Sequence, residues 1–270
     1  MSNLFNVKNL VVVITGGNGV LGRGMSEYMC SQGAKVIVLG RRMDSINELV
    51  SNLQSKGYIA DGFSVDVLDK EQLELVSAKI IEKYGRIDVL VNGAGGNMPG
   101  ATIPPDKTFF DLEIEAFRKV IDVNLFGTVL PSMIFAKEMV KQKKGTIINI
   151  SSEAAIRPLT RVMGYAAAKA AVTNFTKSLA IEMAIKFGEG LRVNTIAPGF
   201  FITEQNRALL TNDDGSLTDR GNRIVDHTPF GRFGSPDELF GTLHWLASDA
   251  SKFVTGTMIV VDGGFDAFCI

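Results

Sequence analysis

Short apolar runs separated by longer amphipathic segments constrain the fold of this chain more than any other feature. The runs lie at residues 10–15, 35–39, 87–91, 145–150, 191–196 and 258–261, with a weaker one at 59–65. Because their hydrophobicity is continuous rather than alternating, they predict strands buried on both faces of a parallel sheet. Helical patterns fill the intervals at about 20–32, 44–56, 69–84, 113–142, 163–187 and 235–248. We therefore predict a doubly wound, Rossmann-like α/β fold with helices on both faces of the sheet.

The β–α alternation runs through the whole chain without a linker, an internal repeat or a low-complexity tract, which predicts one domain over residues 1–270. Two stretches depart from the alternation: residues 95–111 are rich in Gly and Pro, and residues 200–233 are polar and rich in turns. Ligands of open α/β sheets bind beyond the carboxyl ends of the strands. Since both stretches follow strands, we expect them to wall a site, with 200–233 as a substrate loop or lid.

The composition excludes several classes of function. A formal net charge of −1 gives no electrostatic reason to expect nucleic acid or an anionic membrane as a partner. Two cysteines, Cys30 and Cys269, cannot build a disulfide framework or a zinc site, and the two histidines leave little material for metal-dependent catalysis. The N-terminus lacks a signal-peptide pattern, and no apolar run approaches the roughly 20 residues of a membrane helix. We expect a cytoplasmic protein without a metal site.

A glycine-rich turn follows the first predicted strand and opens a helix: Thr15-Gly-Gly-Asn-Gly-Val-Leu-Gly22. Glycines at this place let the backbone approach a pyrophosphate, whose charge then meets the helix N-terminus. The alternative is a tight βα turn that binds nothing. The strand before and the helix after favour a dinucleotide, and the predicted contacts are Gly16, Gly17, Asn18, Gly19, Val20, Leu21 and Gly22.

The end of the second strand bears on which dinucleotide is bound. An acidic residue there would bind the ribose 2′-hydroxyl and repel a 2′-phosphate, but this chain has Gly40, Arg41 and Arg42. Guanidinium groups suit phosphate, so the sequence favours NADP(H), with NAD(H) still possible. Both arginines could instead be solvated residues at a helix start, or stack on adenine. Asp66, after the third strand, is placed to accept a bond from the adenine amino group.

A tyrosine and a lysine four residues apart, Tyr165 and Lys169, lie in a predicted helix, and Ser152 precedes the tyrosine by thirteen residues. Residues four apart share a helix face, so the ammonium can lie beside the phenol. A phenol titrates near ~10, and a neighbouring cation favours its ionised form. This arrangement predicts a proton donor or acceptor usable near neutral pH. The pair alone is weak evidence, because an alanine-rich helix packed on a neighbour would look the same.

Taken together, these motifs resemble the short-chain dehydrogenase/reductase family over essentially the whole chain. The matching residues are Thr15–Gly22, Asp66, Asn92-Gly-Ala-Gly95, Asn124, Ser152, Tyr165, Lys169, Pro198, Gly199 and Thr203. The resemblance implies Tyr165 as general acid/base, Ser152 as the group that polarises the carbonyl, and Asn124 as the holder of a relay water. It also implies that Lys169 binds the nicotinamide ribose and lowers the tyrosine pKa. Further cofactor contacts implied by the resemblance are Val67, Asn92, Gly93, Ala94, Tyr165, Pro198, Gly199 and Thr203.

The chain departs from the family pattern at one position of the turn, because Val20 occupies the place of the middle glycine. Gly19 beside it can supply the lost flexibility. Relatives in the family are commonly homotetramers built through the helices that we place at 113–142 and 163–187, and we expect the same here.

A finer resemblance is to the D-mannonate oxidoreductase (fructuronate reductase) group of this family. It rests on Gly93–Asn97, Ala197–Thr203, Gln205–Thr218 and His227–Gly234. It implies D-fructuronate and D-mannonate as substrates, whose carboxylate needs a cation and whose hydroxyls need amides. The candidate substrate contacts are Asn97, Glu153, Arg157, Arg161, Gln205, Asn206 and Arg207. A gluconate 5-dehydrogenase and a catalytically silent nucleotide-binding protein are the alternatives.

Overall fold

Seven parallel strands form one sheet in the computed structural model, which describes residues 3–203 and 207–269. The strands are β1 (Val11–Thr15), β2 (Lys35–Gly40), β3 (Ala60–Ser64), β4 (Val89–Asn92), β5 (Gly145–Ile150), β6 (Leu191–Pro198) and β7 (Met258–Val261). Their order is β3-β2-β1-β4-β5-β6-β7, and every neighbouring pair is parallel. The predicted Rossmann-like fold is confirmed.

Helices cover both faces of this sheet. They are α1 (Val20–Ser31), α2 (Met43–Ser55), α3 (Lys70–Tyr84), α4 (Ile114–Ile121), α5 (Gly127–Gln142), α6 (Met163–Phe187), α7 (Arg207–Leu210), α8 (Asp219–Asp226) and α9 (Phe240–Ala247). The helical segment predicted at about 113–142 is present as one helix over Ile114–Gln142, in which a π-helical turn at Asp122–Phe126 joins α4 to α5. The prediction of an irregular stretch at 200–233 missed α7 and α8.

Alternate residues of each central strand enter two separate hydrophobic cores, as continuous apolar runs predict. In β1, Val12 and Ile14 pack with residues of α1, α2 and α9, whereas Val11 and Val13 pack with residues of α3, α5 and α6. All four side chains are fully or almost fully buried. The sheet is therefore shared by both cores, with one core on each of its faces.

The stretch Ile114–Gln142 is long and apolar enough to cross a membrane by length and composition, with a mean hydropathy of 1.3. Half of this window is buried inside the protein. Phe135 and Met139 of α5 lie in the core beneath the sheet. This stretch is therefore part of the protein core.

The strand order reverses direction between β1 and β4, which both lie at the centre of the sheet. The carboxyl ends of β1, β4, β5 and β6 all meet at the same edge, since the strands are parallel. Ligands of doubly wound sheets bind in the crevice at this reversal point. The predicted site residues after these strands are thus brought to one edge.

Candidate active site

The glycine turn packs closely against the loop that follows β4. Gly16 has φ of +66°, and a side chain there would lie 3.0 Å from the backbone of Ala94. A Cβ at Gly22 would lie only 2.1 Å from the carbonyl oxygen of Gly16, so the start of α1 touches the turn directly. The Thr15 hydroxyl accepts hydrogen bonds from the backbone N–H groups of Gly93 and Ala94, both at 3.2 Å. Glycine is thus required for the compactness of this turn.

The first turn of α1 fits the pyrophosphate of a dinucleotide. Gly19 caps the helix without a side-chain hydrogen bond, and the first turn carries no acidic residue. The first N–H groups of the helix therefore face outward without a capping side chain, at the positive end of its dipole. Val20, the departure from the family pattern, begins the helix with an exposed side chain, so it leaves the contact between Gly16 and Gly22 intact.

At the end of β2, the side chain of Asn18 fills the space beside Gly40. The Asn18 side chain lies against this residue, because a Cβ at Gly40 would be 2.1 Å from Asn18 Oδ1. Arg41 and Arg42 follow with exposed side chains, and Arg42 is the N-cap residue of α2. The structure thus places Asn18 and both arginines around the same strand end.

Asp66 and Val67 lie after β3 on the same side of the sheet. Asp66 is half-buried, and its Oδ1 accepts a hydrogen bond from the backbone N–H of Leu68 at 2.9 Å. Val67 is buried, and it lies against α5, since a Cβ at Gly127 would be 2.9 Å from Val67 Cγ2. Both positions suit the predicted adenine pocket.

The side chain of Asn92 is buried, so any contact of this residue with a cofactor would come from its backbone. Its Nδ2 donates to Ser132 Oγ at 2.9 Å and to Asn149 Oδ1 at 2.8 Å. Asn149 in turn donates to Thr176 Oγ1 at 2.8 Å. The Asn92 side chain therefore joins β4 to β5 and to α5.

Asn124 lies in the π-helical turn and holds the loop after β4 with both ends of its amide. Its Nδ2 donates to the carbonyl oxygens of Gly96 at 2.7 Å and Val120 at 2.8 Å, and its Oδ1 accepts from Gly96 N–H at 3.1 Å. The bond to Val120, four residues earlier, takes a carbonyl that an α-helix would use, which explains the widened turn. The side chain is fully buried and braces the loop; holding a relay water remains a prediction.

Ser152 and Tyr165 come together as expected. Ser152 lies close enough to Tyr165 for its side chain to lower the pKa of the phenol, and Ser152 Oγ accepts from the backbone N–H of Ala154 at 3.2 Å. The neighbouring Ser151 is instead buried, where its hydroxyl donates to the carbonyl oxygen of Lys169 at 3.1 Å. Of the two adjacent serines, only Ser152 is thus in contact with the phenol.

Lys169 lies beneath Tyr165, with its Nζ 5.6 Å from the centre of the phenol ring. The ammonium donates to the carbonyl oxygen of Ile150 at 2.8 Å and is almost fully buried. Burial lowers the pKa of Lys169 to about 8. Burial also raises the pKa of Tyr165, and the Ser152 side chain offsets only part of this effect. The expected depression of the tyrosine pKa is therefore not found, because desolvation of the phenolate outweighs the stabilising groups.

The end of β6 is packed against the segment that follows β7. Gly199 donates its N–H to the carbonyl oxygen of Val261 at 2.9 Å, and a Cβ there would lie 2.6 Å from the Cβ of Asp262. Pro198 ends the strand, and Thr203 is partly buried, with its carbonyl accepting from Arg207 N–H at 2.9 Å. These residues lie beyond the carboxyl end of β6, where the resemblance places the nicotinamide.

The predicted substrate contacts are placed in different environments. Arg157 is paired with Asp266, with its Nε 2.8 Å from the carboxylate, so its charge is used by the C-terminal segment. Asn97 is exposed and donates to Thr102 Oγ1 at 2.8 Å. Arg207 is exposed on α7, and Arg161 lines a cleft. Gln205 and Asn206 lie outside the described residues.

Two arginines in that cleft were missed by sequence reasoning. Arg220 and Arg223 lie on α8 and face the same cleft as Arg161, with Phe200 and Phe265 as its apolar walls. Their spacing of three residues places them on one helix face, and this spacing was the available signal. Because residues 200–233 are polar and rich in turns, the sequence did not predict a helix there, and the spacing of Arg220 and Arg223 could not be assigned to a helix face.

Glu153 follows Ser152 directly and is a buried acid without a partner. Its side chain is 1% exposed, and neither carboxylate oxygen has a hydrogen-bond partner in the part of the chain that the structure describes. Burial, together with the nearby charges of Asp266 and Asp262, raises the pKa of Glu153 to about 7, although Arg157 acts in the opposite direction. An uncharged carboxyl group is thus favoured beside the serine under mildly acidic conditions.

The chain is similar to known proteins over nearly its full length. A family model described as short chain dehydrogenase matches residues 10–214. UxuB of Bacillus subtilis (strain 168), an uncharacterized oxidoreductase, is 42% identical over 273 residues, which cover 97% of each chain.

Two solved structures extend this similarity to three dimensions. A candidate D-mannonate oxidoreductase from Haemophilus influenzae with bound NAD superposes with a TM-score of 0.92 at 38% identity, covering 98% of this chain and 97% of its own. A gluconate 5-dehydrogenase from Burkholderia cenocepacia J2315, in complex with NADP and tartrate, superposes with a TM-score of 0.87 at 30% identity, covering 98% of each chain.

Substitution of Glu153 by glutamine should change how stability depends on pH. The folded protein keeps the Glu153 proton up to about pH 7, whereas a carboxyl with its ordinary pKa of 4.5 loses it earlier. The contribution of protonated Glu153 to the free energy of unfolding is therefore complete below the ordinary pKa of 4.5, and it is lost as the pH rises through about 7. Relative to wild type, Glu153→Gln should gain up to about 3 kcal/mol in the free energy of unfolding between about pH 5 and pH 8.

Urea denaturation at several pH values measures this difference. Glu189→Gln, at an exposed glutamate, is the matched control and should follow the wild-type curve. A difference between Glu153→Gln and wild type that stays constant over this pH range would show that Glu153 ionises normally.

Proposed function

Because the chain belongs to the short-chain dehydrogenase/reductase family of NAD(P)-dependent oxidoreductases, we propose that its substrate is a sugar acid. It would transfer hydride between nicotinamide and a keto or hydroxy group, with D-fructuronate and D-mannonate as the pair. The observation that carries the proposal is the contact of Ser152 with Tyr165 over a buried Lys169. The loop that joins this serine to this tyrosine also supplies Arg161 to a polar cleft.

The cofactor would lie across the carboxyl edge of the sheet. The N-terminus of α1 and residues 16–22 would hold the pyrophosphate, Asp66 and Val67 the adenine, and Pro198, Gly199 and Thr203 the nicotinamide. When bound, the nicotinamide supplies or accepts the hydride. The tight turn at Gly16 and the uncapped helix start support this placement.

Tyr165 would act as the acid in ketone reduction. As hydride reaches the carbonyl carbon, negative charge develops on the carbonyl oxygen, and the Tyr165 hydroxyl transfers its proton to that oxygen. The raised pKa of Tyr165 keeps the phenol protonated at neutral pH, as an acid requires. Ser152 would donate a second hydrogen bond to the same oxygen, a contact of a kind that contributes about 3 kcal/mol.

Lys169 would support the tyrosine after proton transfer. Its ammonium lies under the ring and can stabilise the phenolate that forms, while the Ile150 carbonyl fixes its position. Asn124 would keep the loop at Gly96 in place beside them. In the oxidative direction the same groups act in reverse, with the phenolate accepting the proton of the alcohol.

A second candidate function is the reduction of 5-keto-D-gluconate. The structural similarity to a gluconate 5-dehydrogenase favours it, since that protein shares 30% of its sequence with this chain. A catalytically silent nucleotide-binding protein is disfavoured because Asn124, Ser152, Tyr165 and Lys169 are all present. The first two candidates use one mechanism and differ in the arrangement of substrate hydroxyls.

We also propose a cytoplasmic homotetramer. Large apolar side chains remain exposed on the helices that family members use for assembly, including Met133 on α5 and Ile181 and Ile185 on α6. The substrate loop would be residues 200–233, since Phe200 and α8 wall the cleft. The two cysteines, of which Cys30 is buried, are consistent with a reducing compartment.

Purified protein should oxidise NAD(P)H when supplied with D-fructuronate, and do so faster than with 5-keto-D-gluconate. Absorbance of the reduced nicotinamide measures both reactions. Tyr165→Phe should lower turnover by about 10²–10⁴-fold through loss of the acid, with cofactor affinity little changed. Turnover of 5-keto-D-gluconate alone would select the second candidate, and normal turnover by Tyr165→Phe would remove the assigned role of the tyrosine.

The cofactor preference proposed from Arg41 and Arg42 is for NADP(H), with NAD(H) also accepted. Both cofactors occur among the similar structures, NAD in one and NADP in another. Arg41→Asp should weaken NADPH binding by about 10–100-fold, because a charge-assisted bond to the 2′-phosphate is replaced by repulsion. NADH binding, measured by the same fluorescence titration, should change little. Equal losses for both cofactors would refute phosphate recognition by Arg41.

A further inference from the structure

Three arginines line one cleft of about 430 Å³ beside the catalytic loop, of which Arg161 and Arg220 are half-buried and Arg223 is exposed. Arg161 comes from the loop between Ser152 and α6, whereas Arg220 and Arg223 come from α8. Asp219 is the acidic residue of the cleft wall, so positive charge is in excess there. The volume falls within the range of small-molecule sites, about 300–1,000 Å³.

These guanidinium groups lack the partners that other arginines of the protein have. Arg157 is paired with Asp266, and Arg232 is paired with Glu238 at 2.7 Å. By contrast, the side chains of the three cleft arginines form no hydrogen bond or ion pair with residues 3–203 or 207–269. Donors that are brought together without acceptors are suited to an anion from outside the chain.

The electrostatics of the cleft supports the same conclusion. Burial lowers the pKa of Arg220, and the positive charge of Arg161 lowers it further. Two like charges that repel each other in a partly desolvated cleft are stabilised when an anion lies between them. The cluster therefore costs free energy by itself, and a bound carboxylate would offset that cost.

The backbone holds Arg161 in an uncommon conformation. Its φ is +74°, in the left-handed region that residues other than glycine rarely adopt. The carbonyl oxygen of Arg161 accepts a hydrogen bond from Ile103 N–H at 3.0 Å, which ties it to the loop after β4. Strained residues of this kind concentrate at binding sites. The contact fixes the backbone of Arg161 against the loop after β4.

We propose that Arg161, Arg220 and Arg223 form the subsite that binds the substrate carboxylate and selects sugar acids over neutral sugars. This inference rests on the proposed function. In both candidate substrates the ketone and the carboxylate lie toward opposite ends of a six-carbon chain. A ketone held at Tyr165 can therefore leave the carboxylate several carbons away, toward the cleft. Phe200 and Phe265 would pack against the carbon chain.

Kinetics with a charged and a neutral ketone test the assignment. With Arg161→Gln, Arg220→Gln or Arg223→Gln, the KM for D-fructuronate should rise about 10–100-fold while kcat changes little. D-fructose lacks the carboxylate, so its kcat/KM should be much lower than that of D-fructuronate in wild-type protein and should not change in these variants. Arg220→Lys, which keeps the charge but loses the forked geometry, should recover part of the affinity. The matched control is Arg118→Gln, at an exposed arginine paired with Glu115.

The outcomes separate the subsite from the proposed function. If wild-type protein reduces D-fructuronate and the glutamine variants keep its KM, the subsite is refuted and the function stands. If wild-type protein reduces no sugar acid, the function fails, and calorimetry with NADPH present decides about the subsite. Tighter binding of D-mannonate than of neutral D-mannitol, lost in Arg220→Gln, would support it; equal binding would overturn it.

Inorganic phosphate distinguishes a substrate subsite from a separate anion site. Phosphate that competes with D-fructuronate in wild-type protein, and no longer does so in Arg220→Gln, supports the proposal. Phosphate that changes kcat without competing would identify the cluster as an independent anion site and overturn the assignment.

Discussion

The hydrogen bond from the Lys169 ammonium to the carbonyl oxygen of Ile150 connects the catalytic helix to the sheet. A buried cation is costly unless an acceptor satisfies it, and the 2.8 Å contact at the end of β5 provides one. The same strand end leads into Ser151 and Ser152, and Ser151 donates back to the carbonyl oxygen of Lys169. These contacts run in both directions between α6 and β5. They therefore determine where Tyr165, one helical turn before Lys169, meets Ser152.

The loop after β4 is braced against this unit from the other side. Asn124 holds Gly96 with both ends of its amide, and a side chain at Gly95 would come within 2.5 Å of the Asn124 oxygen and 3.3 Å of Lys169 Nζ. Beneath it, Asn92 and Asn149 carry a hydrogen-bond chain from α5 across β4 and β5 to Thr176 of α6. Preorganisation of this kind lets the catalytic groups act without rearrangement during the reaction.

Much of the fold could be predicted because each β–α unit has a recognisable pattern in its own stretch of sequence. Continuous apolar runs are typical of strands buried on both faces, and the glycine turn at 15–22 marks the first crossover. The π-helical turn at Asp122–Phe126 could not be predicted, since it is accompanied by hydrogen bonds from the Asn124 side chain to the backbone of Val120 and Gly96. Hydrophobic patterns predict where a helix lies, but they do not predict that the Asn124 side chain binds a backbone carbonyl within it.

The sequence predicted that Lys169 lies beside Tyr165, but it did not predict the burial and pairing of the side chains around them. Helical spacing correctly placed Lys169 under Tyr165, but the direction of the tyrosine pKa shift depends on burial, which spacing does not report. The sequence predicted Arg157 as a substrate contact, but in the structure its side chain is paired with Asp266, which lies 109 residues away in the chain. Arg220 was overlooked because its helix lies in a polar stretch read as a loop. Pairing between residues far apart in the chain and the burial of a side chain cannot be predicted from a single sequence.

The central claim, that the partly buried phenol of Tyr165 gives and takes the proton, is tested most directly by the pH dependence of kcat/KM in both directions. Because burial raises the pKa of Tyr165, reduction of D-fructuronate should be constant through neutral pH and fall only at alkaline pH. Oxidation of D-mannonate should instead increase with pH, since it needs the ionised form. A kcat/KM for the reduction of D-fructuronate that rises from neutral to alkaline pH would contradict the role of Tyr165 as the acid.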